Sequence, residues 1–317
     1  VIKQIETYSF SPALLAPAER LPGVSAFMRI RNGADFLEAT IRSHIDAYDE
    51  IVAVYNQCTD ATPDILDRLA GEYGPRLRVV HYLPRVHPAG SEGHASTPPS
   101  SPQSLVTYYN CALAMTRHQW AVKLDDDHLA IPEALGGMVR RIRTGEADDR
   151  RLHCFSGPNL IRDRAGRLGI ASADPVSGGG DIGYFRVRTD TYFTHDPRFE
   201  RFARGPLTRE FAGWFYWHLK FLKQGGGFAN YELDANPGSR YARKRDKMAG
   251  AGIWDMSQMR QARAPGLIRR LRAQIDGKER LSAARDMALS RAFPQTSVEQ
   301  ALDDSTPGWR DWLERAT

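Results

Sequence analysis

Cysteine is scarce: Cys58, Cys111 and Cys154 are the only three in 317 residues, odd in number and far apart. They form neither a disulfide framework nor a C-x-x-C pair, which suits a reducing cytoplasm and argues against a cysteine-ligated zinc. No run of about 18 apolar residues occurs, so no transmembrane helix is expected. Val1 to Phe10 lacks a basic stretch followed by an apolar core and does not read as a secretory signal. A phosphate loop of the form G-x-x-x-x-G-K-[ST] is missing, as is any internal repeat. There is little net charge. Forty-three basic and 38 acidic residues leave +5, which suits an anionic small ligand or a membrane surface as well as it suits nucleic acid. With 42% hydrophobic and 26% charged residues, the chain reads as globular and long enough to bury a core unaided, which excludes a disordered chain, a collagen and a coiled coil.

What is present is alternation. Residues 1–23, with three prolines, read as an irregular lead-in. Val24 to Ile30 is a strand by its apolar and β-branched content, broken by Asn32-Gly33. Phe36, Leu37, Ile41, Ile45 and Tyr48 then follow at helical spacing. Ile51 to Tyr55 is wholly apolar, as buried parallel strands are. Thr62-Pro63-Asp64 opens a helix that Gly74 closes, and Leu77 to Leu83 is the next strand. This βαβαβ order predicts an α/β fold with a mostly parallel sheet flanked by helices. Pro84 to Gln103, rich in proline, serine and glycine, cannot bury a face and reads as a mobile loop or lid. A helix through Leu105 to Met115, a strand at Trp120 to Leu124, a helix at Pro132 to Arg143 and a strand at Leu152 to Phe155 follow. Beyond them we expect a hairpin across Asn159 to Ile170, a strand at Ile182 to Arg188, a helix at Thr208 to Gln224 and a strand at Phe228 to Leu233. From Arg240 the chain is basic, and 251–317 reads as a basic helical tail.

The chemistry centres on Asp125, Asp126 and Asp127, which follow an apolar strand directly. Three adjacent carboxylates repel one another unless a cation neutralises them. Strand alternation turns Asp125 and Asp127 the same way and Asp126 elsewhere. Such a pair suits Mg2+ or Mn2+ completing its shell with phosphate and water, at the sheet edge where α/β proteins bind ligands. The plainer reading is a solvated acidic turn that caps the next helix. His128 adjoins the carboxylates and is a candidate third ligand.

Four segments in order carry a resemblance. Phe27 to Gly33, Ile51 to Thr62, Asn110-Cys-Ala-Leu-Ala114 and Trp120 to Asp127 with Pro132 to Leu135 resemble the landmarks of family 2 glycosyltransferases, across about Val24 to Leu135. The resemblance implies a GT-A-like, Rossmann-like fold. It divides the chain into a nucleotide-sugar half (24–135) and an acceptor half (136–250). It also implies sugar transfer from a nucleotide-sugar donor, with UDP favoured, to a polysaccharide, glycolipid or other glycan, with Mn2+ or Mg2+ as cofactor and inversion at the sugar. Arg29, Asn56, Asp60, Asn110, Asp125, Asp126 and Arg243 are the donor-binding candidates; Asp125, Asp127 and His128 are the metal candidates.

Departures from the family pattern lie mostly in the second half. Its later Glu-Asp pair, which takes the acceptor proton, has no match, and Glu210 at the expected helix start is the first candidate base. Asp181, after three glycines, is the second and His195 the third. His218 lies on the expected helix stripe and reads either as a core histidine or as a metal ligand. Arg260 to Arg272 with Leu267, Ile268 and Leu271 forms a basic amphipathic stretch of the type that lies on anionic lipid. Localisation is then cytoplasmic, with peripheral contact at an inner membrane, and no nucleic-acid partner is implied. The rivals are a metal-dependent nucleotidyltransferase, which would show a glycine-rich basic loop near the first strand, and a non-catalytic carbohydrate-binding module, which has no use for the acidic triplet.

Overall fold

A computed structural model of the chain describes residues 2–180, 183–264, 266 and 272–314. The first half runs β1 (Lys3–Ile5), β2 (Leu21–Ile30), α1 (Leu37–His44), β3 (Glu50–Tyr55), α2 (Thr62–Tyr73) and β4 (Leu77–Tyr82). It continues through α3 (Glu92–Ser96), α4 (Leu105–Ala114), β5 (His118–Lys123), β6 (His128–Ala130) and α5 (Pro132–Arg143). The second half is mostly strand: β7 (Arg151–Pro158), β8 (Leu160–Arg162), β9 (Leu168–Ala171), β10 (Val176–Ser177), β11 (Gly183–Arg186) and β12 (Thr191–Asp196). Then come β13 (Phe199–Arg204), β14 (Thr208–Trp214), β15 (Tyr216–His218), α6 (Arg240–Ala249) and β16 (Ile253–Trp254). Four helices close the described chain: α7 (Met256–Arg263), α8 (Gly277–Ala292), α9 (Val298–Ser305) and α10 (Trp309–Glu314).

The central sheet has the order β1-β4-β3-β2-β5-β11-β7, with β10 and β14 also paired to β7. Strands β1 to β5 are all parallel, β11 runs against both its neighbours, and β14 lies parallel to β7. The α/β architecture expected from the periodicity is therefore present. Alternation along β2 explains the two layers. Val24, Ala26, Met28 and Ile30 pack towards α1, α2 and α5, whereas Phe27 faces α4 and Phe193 of β12. Every residue of β3 is buried, as a strand covered on both faces requires. Ser104 caps α4 by accepting from the Val106 amide, which sets the helix start at Leu105.

Several expectations are corrected. The helix expected over Thr208 to Gln224 is β14, β15 and a short 3-10 turn at Lys220–Leu222. Its aromatic-rich sequence suits strand, and a bulge between Phe211 and Gly213 in the pairing with β7 breaks the alternation, leaving a spacing that mimics a helix. The strand expected over Phe228 to Leu233 is a run of turns. The lead-in contains β1, which extends the sheet beyond β4. The expected lid of 84–103 is tied down: Asn56 donates to the carbonyls of Tyr82 and Pro84, and the buried His94 bonds the Asp196 carbonyl.

Among the described residues beyond 250, helices follow the short strand β16, and several of their side chains are built into a core. Met256, Met259, Leu289, Phe293, Leu302 and Trp309 pack with Leu129, Trp214 and Trp217. Arg260 donates to the carbonyls of Phe293 and Gln295, and Arg263 pairs with buried Asp286, so both guanidinium groups are engaged within the protein. Leu267 to Leu271 of the basic amphipathic stretch lie outside the described residues. No helix among the described residues is long and apolar enough to cross a membrane.

Candidate functional site

The carboxyl ends of the parallel strands open into a cleft of about 520 Å³. Arg29 at the end of β2, the acidic triplet after β5, Ser177 to Gly179 and the segment from His218 to Tyr231 line it, closed over by α6. A larger cavity of about 830 Å³ lies at the opposite, amino edge of the sheet. There Arg143, Arg150 and Arg186 each have an aspartate within 4 Å, so it gathers no net charge for a ligand. The cleft is the candidate site.

Each carboxylate of the triplet meets a cation. Arg29 donates to Asp125 at 2.8 Å and Lys123 lies 3.1 Å from its other oxygen. Burial alone would raise the Asp125 pKa; Lys123 and Arg29 hold it well below the usual carboxylate range. The guanidinium of Arg29 also stacks over the Tyr109 ring, 3.5 Å from its centre. Lys223 bridges the other two, 2.9 Å from Asp126 Oδ1 and 3.1 Å from Asp127 Oδ2. Asp126 therefore does not face away from its neighbours as alternation suggested: the chain turns after β5, and Asp126 and Asp127 share one ammonium. The turn also brings Asp126 against Gly33, where a Cβ would lie 2.2 Å from its Oδ2.

Asp127 is the more exceptional group. Its Oδ1 stands 3.3 Å from Nε2 of His218. The other ring nitrogen, Nδ1, bonds Asn159 Oδ1 at 2.5 Å. Asn159 spends its NH2 on the backbone carbonyl and carboxylate of Asp174, which fixes the amide oxygen towards the histidine. An amide oxygen only accepts, so Nδ1 carries a proton; the neutral ring that keeps this bond has its lone pair on Nε2, on the side of the Asp127 carboxylate. A positive centre holds such a pair together, either a proton on Nε2 or a metal ion. Adjacent ligands of one divalent ion sit roughly 3 Å apart, which this spacing matches.

His128 is stacked on Tyr216, ring centres 3.7 Å apart, and among the described residues neither of its nitrogens has a hydrogen-bond partner. Burial pushes its pKa down to about 3, so it is neutral. Ligand atoms of Asp127, His128 and His218 all fall within 4.8 Å of one another. Of the metal candidates read from the sequence, Asp127 and His128 are thus brought together, and His218 joins them. Asp125 is instead engaged by Arg29 and Lys123. The mixed oxygen and imidazole donors suit Mn2+ better than Mg2+, which prefers oxygen alone.

The other candidates separate. Asn56 lines the cleft, but its amide holds the backbone of Tyr82, Pro84 and Val86. Asp60 accepts from the amides of Ala34 and Thr62 and so shapes the loop behind the cleft. Asn110 exchanges two bonds with the Phe193 backbone, fully buried beneath β12. Arg243 is exposed on α6 and bonds the Gly238 carbonyl; Arg240 and Lys244, four apart on the same face, line the cleft in its place. Glu210 lies mid-strand in β14 opposite His153 rather than at a helix start, and it is not in the lining. His195 packs against His94, also outside the lining. Asp181 lies outside the described residues. Sequence reading missed Lys223, Tyr109 and Glu200, which reach the cleft from separate elements. Tyr109 donates to Glu200 at 2.5 Å.

Residues 17–135 match a family described as beta-1,4-N-acetylgalactosaminyltransferase (CgtA). The match bears out the glycosyltransferase resemblance over the part of the chain that contains β2 to β6 and the acidic triplet. No curated protein matches the chain. Among solved structures it is similar to a mannosyltransferase from Pyrobaculum calidifontis in complex with GDP-mannose and Mn2+. Identity there is 22%, coverage 46% of this chain and 37% of that one, and the TM-score 0.30. It is also similar to glucosyl-3-phosphoglycerate synthase from Mycobacterium tuberculosis with Mn2+, UDP and phosphoglyceric acid (19%, 52% and 52%, 0.27). A third is S. aureus TarS 1–349 with UDP (13%, 85% and 89%, 0.33). The chain spans about half or less of the length of the first two.

Proposed function

We propose that the protein is a glycosyltransferase that moves a sugar from a nucleotide-sugar donor, UDP-linked, to a glycan or glycolipid hydroxyl. The observation that carries this reading is the meeting of Asp127 Oδ1 and His218 Nε2 in the cleft at the carboxyl edge of the sheet. The family match over 17–135 supports it independently.

In this reading Asp127 and His218 hold Mn2+, with His128 behind them, and Asn159 orients His218 for the task. The bound ion would act as Lewis acid on the donor diphosphate. The rest falls to the chain itself. Arg29 and Lys123 keep Asp125 ionised and fixed, so that it can accept hydrogen bonds from the donor's ribose. Lys220, whose ammonium bonds Tyr231 Oη at 3.1 Å, and Arg240 and Lys244 of α6 give the cleft positive charge for an anionic leaving group. Gly178, at φ +83, brings bare backbone to the wall: a Cβ there would lie 2.4 Å from the Phe155 carbonyl. Among the described residues, Glu200 is the carboxylate that the second half contributes to the lining. We assign it, rather than Glu210, as the base that takes the acceptor proton in a single inverting displacement.

The test is release of UDP from a panel of UDP-sugars with Mn2+. UDP-N-acetylgalactosamine goes first, since the matched family is named for that sugar. Turnover that is lost with EDTA, restored by Mn2+ and lost again in Asp127→Asn supports the reading. A panel with no turnover and no UDP binding sinks it.

A further inference from the structure

The ion site already contains a cation of the chain's own. Lys223 Nζ lies 2.9 Å from Asp126 Oδ1 and 3.1 Å from Asp127 Oδ2, and its side chain is only 13% exposed. Counted with its neighbours, the cluster is neutral as it stands: Asp125, Asp126 and Asp127 face Arg29, Lys123 and Lys223. A divalent ion added at Asp127 and His218 would make the site strongly positive and press on an ammonium that shares the same carboxylate. A donor diphosphate would reverse this, since its negative charge balances the ion's and leaves oxygens free for a lysine.

Lys223 and the ion ligands stand on different segments, so the lysine side chain can change partner while the ligands stay. His218 is anchored on β15, which pairs with β6, and by Asn159. Lys223 lies just beyond, at the start of a turn in which Gly225, Gly226 and Gly227 have φ of 68, 64 and 75°. Only glycine adopts three such angles in a row without strain. On the far side of that turn Asn230 donates to the Arg31 carbonyl at 2.5 Å.

We propose that Lys223 competes with the divalent ion for the Asp127 carboxylate and transfers to the donor diphosphate when ion and nucleotide arrive together. This rests on the reading of Asp127 and His218 as an ion site. The consequence is coupled binding: Mn2+ alone is held weakly, UDP alone is held weakly, and each strengthens the other.

The experiment measures Mn2+ binding by electron paramagnetic resonance, with and without UDP, in the wild type, Lys223→Met and Asp127→Asn. Melting curves with and without Mn2+ accompany it. If the lysine-engaged state holds more than about nine-tenths of the population, Lys223→Met should bind Mn2+ alone about tenfold or more tightly than the wild type. In that variant the gain from adding UDP should shrink. Mn2+ alone should raise its melting temperature, with little effect on the wild type. Lys223→Gln, which keeps a hydrogen-bond donor, replaces the methionine variant if that one fails to fold. Equal Mn2+ affinity in wild type and lysine variant, with binding lost in Asp127→Asn, would leave the ion site standing and overturn the role of Lys223. No Mn2+ binding in any protein, even with UDP, or binding that ignores Asp127→Asn, overturns the ion site and this inference with it.

Discussion

Glu50 has no exposed surface and is nonetheless ionised. Its carboxylate accepts from Ser25 Oγ at 2.7 Å, from the Arg117 amide at 2.7 Å and side chain at 2.9 Å, and from Arg78 at 3.0 Å. Burial alone would raise its pKa, but His118, Ser25, Arg117 and Arg78 together hold it well below the usual range. The unfolded chain therefore takes up the proton first, and the stabilisation, complete above a pH of about 4.5, drains away as the pH falls towards the folded value. Glu50→Gln should cost about 2–4 kcal/mol at neutral pH and flatten the fall of the urea midpoint between pH 6 and 3. Buried His44, whose pKa burial lowers to about 4, works in the same direction: neutral in the fold, it loses stability as acid protonates the unfolded chain below about 6.5. At the site, Asn159→Ala removes the partner that sets the His218 tautomer. It should weaken Mn2+ binding in the presence of UDP by roughly 10- to 100-fold, read by calorimetry, with the melting temperature showing whether the fold is intact.

Strand β14 decides the fate of an obvious carboxylate. As a helix start, the segment would have presented Glu210 to the acceptor side; as a strand parallel to β7, it sets Glu210 beside His153, 3.9 Å away and half-exposed. Glu210→Gln is expected to keep turnover within about twofold of the wild type, whereas Glu200→Gln should lose roughly 10²-fold or more with donor binding retained. The reverse pattern in a UDP-release assay would return the base to β14. Helix α4 carries Tyr109 under Arg29 and depends on its Ser104 cap. Ser104→Ala should lower stability by about 1 kcal/mol in thermal melts.

Across the molecule, the C-terminal helices close a core that the sheet alone leaves open. Trp217 donates to Ser305 Oγ at 3.0 Å, and Thr306 donates to the Ala130 carbonyl at 3.1 Å, joining α9 and its end to β15 and β6. Those two strands carry His218 and His128. Removing the chain from residue 295 onwards would strip Leu302, Trp309 and Leu313 from Leu129 and Trp217. Burial of large side chains contributes about 1.5–3 kcal/mol each, so the truncated protein should melt early or fail to stay soluble, and any folded fraction should bind Mn2+ poorly. Analytical size exclusion and a melting curve check this.

The first half was legible because its signals are local. The apolar run Ile51 to Tyr55 of β3, the Thr62-Pro63 start and Gly74 stop of α2, and three aspartates after a strand each follow from residues close in sequence. The parallel sheet and the place of its cleft followed from their order. The second half resisted because its pattern arises from contacts. The bulge at Phe211 to Gly213 turned strand residues into a false helical stripe, and only pairing with β7 gives them their register. His218 could be weighed as a ligand from sequence, but what favours that reading is the Asn159 amide, 59 positions away, which engages Nδ1 and leaves Nε2 facing Asp127. Lys223 sits 97 residues from Asp126, and no local pattern marks it as the triplet's counter-ion. Charge neutralisation in a buried cluster depends on which side chains share a few cubic ångströms, and only the tertiary fold assembles them.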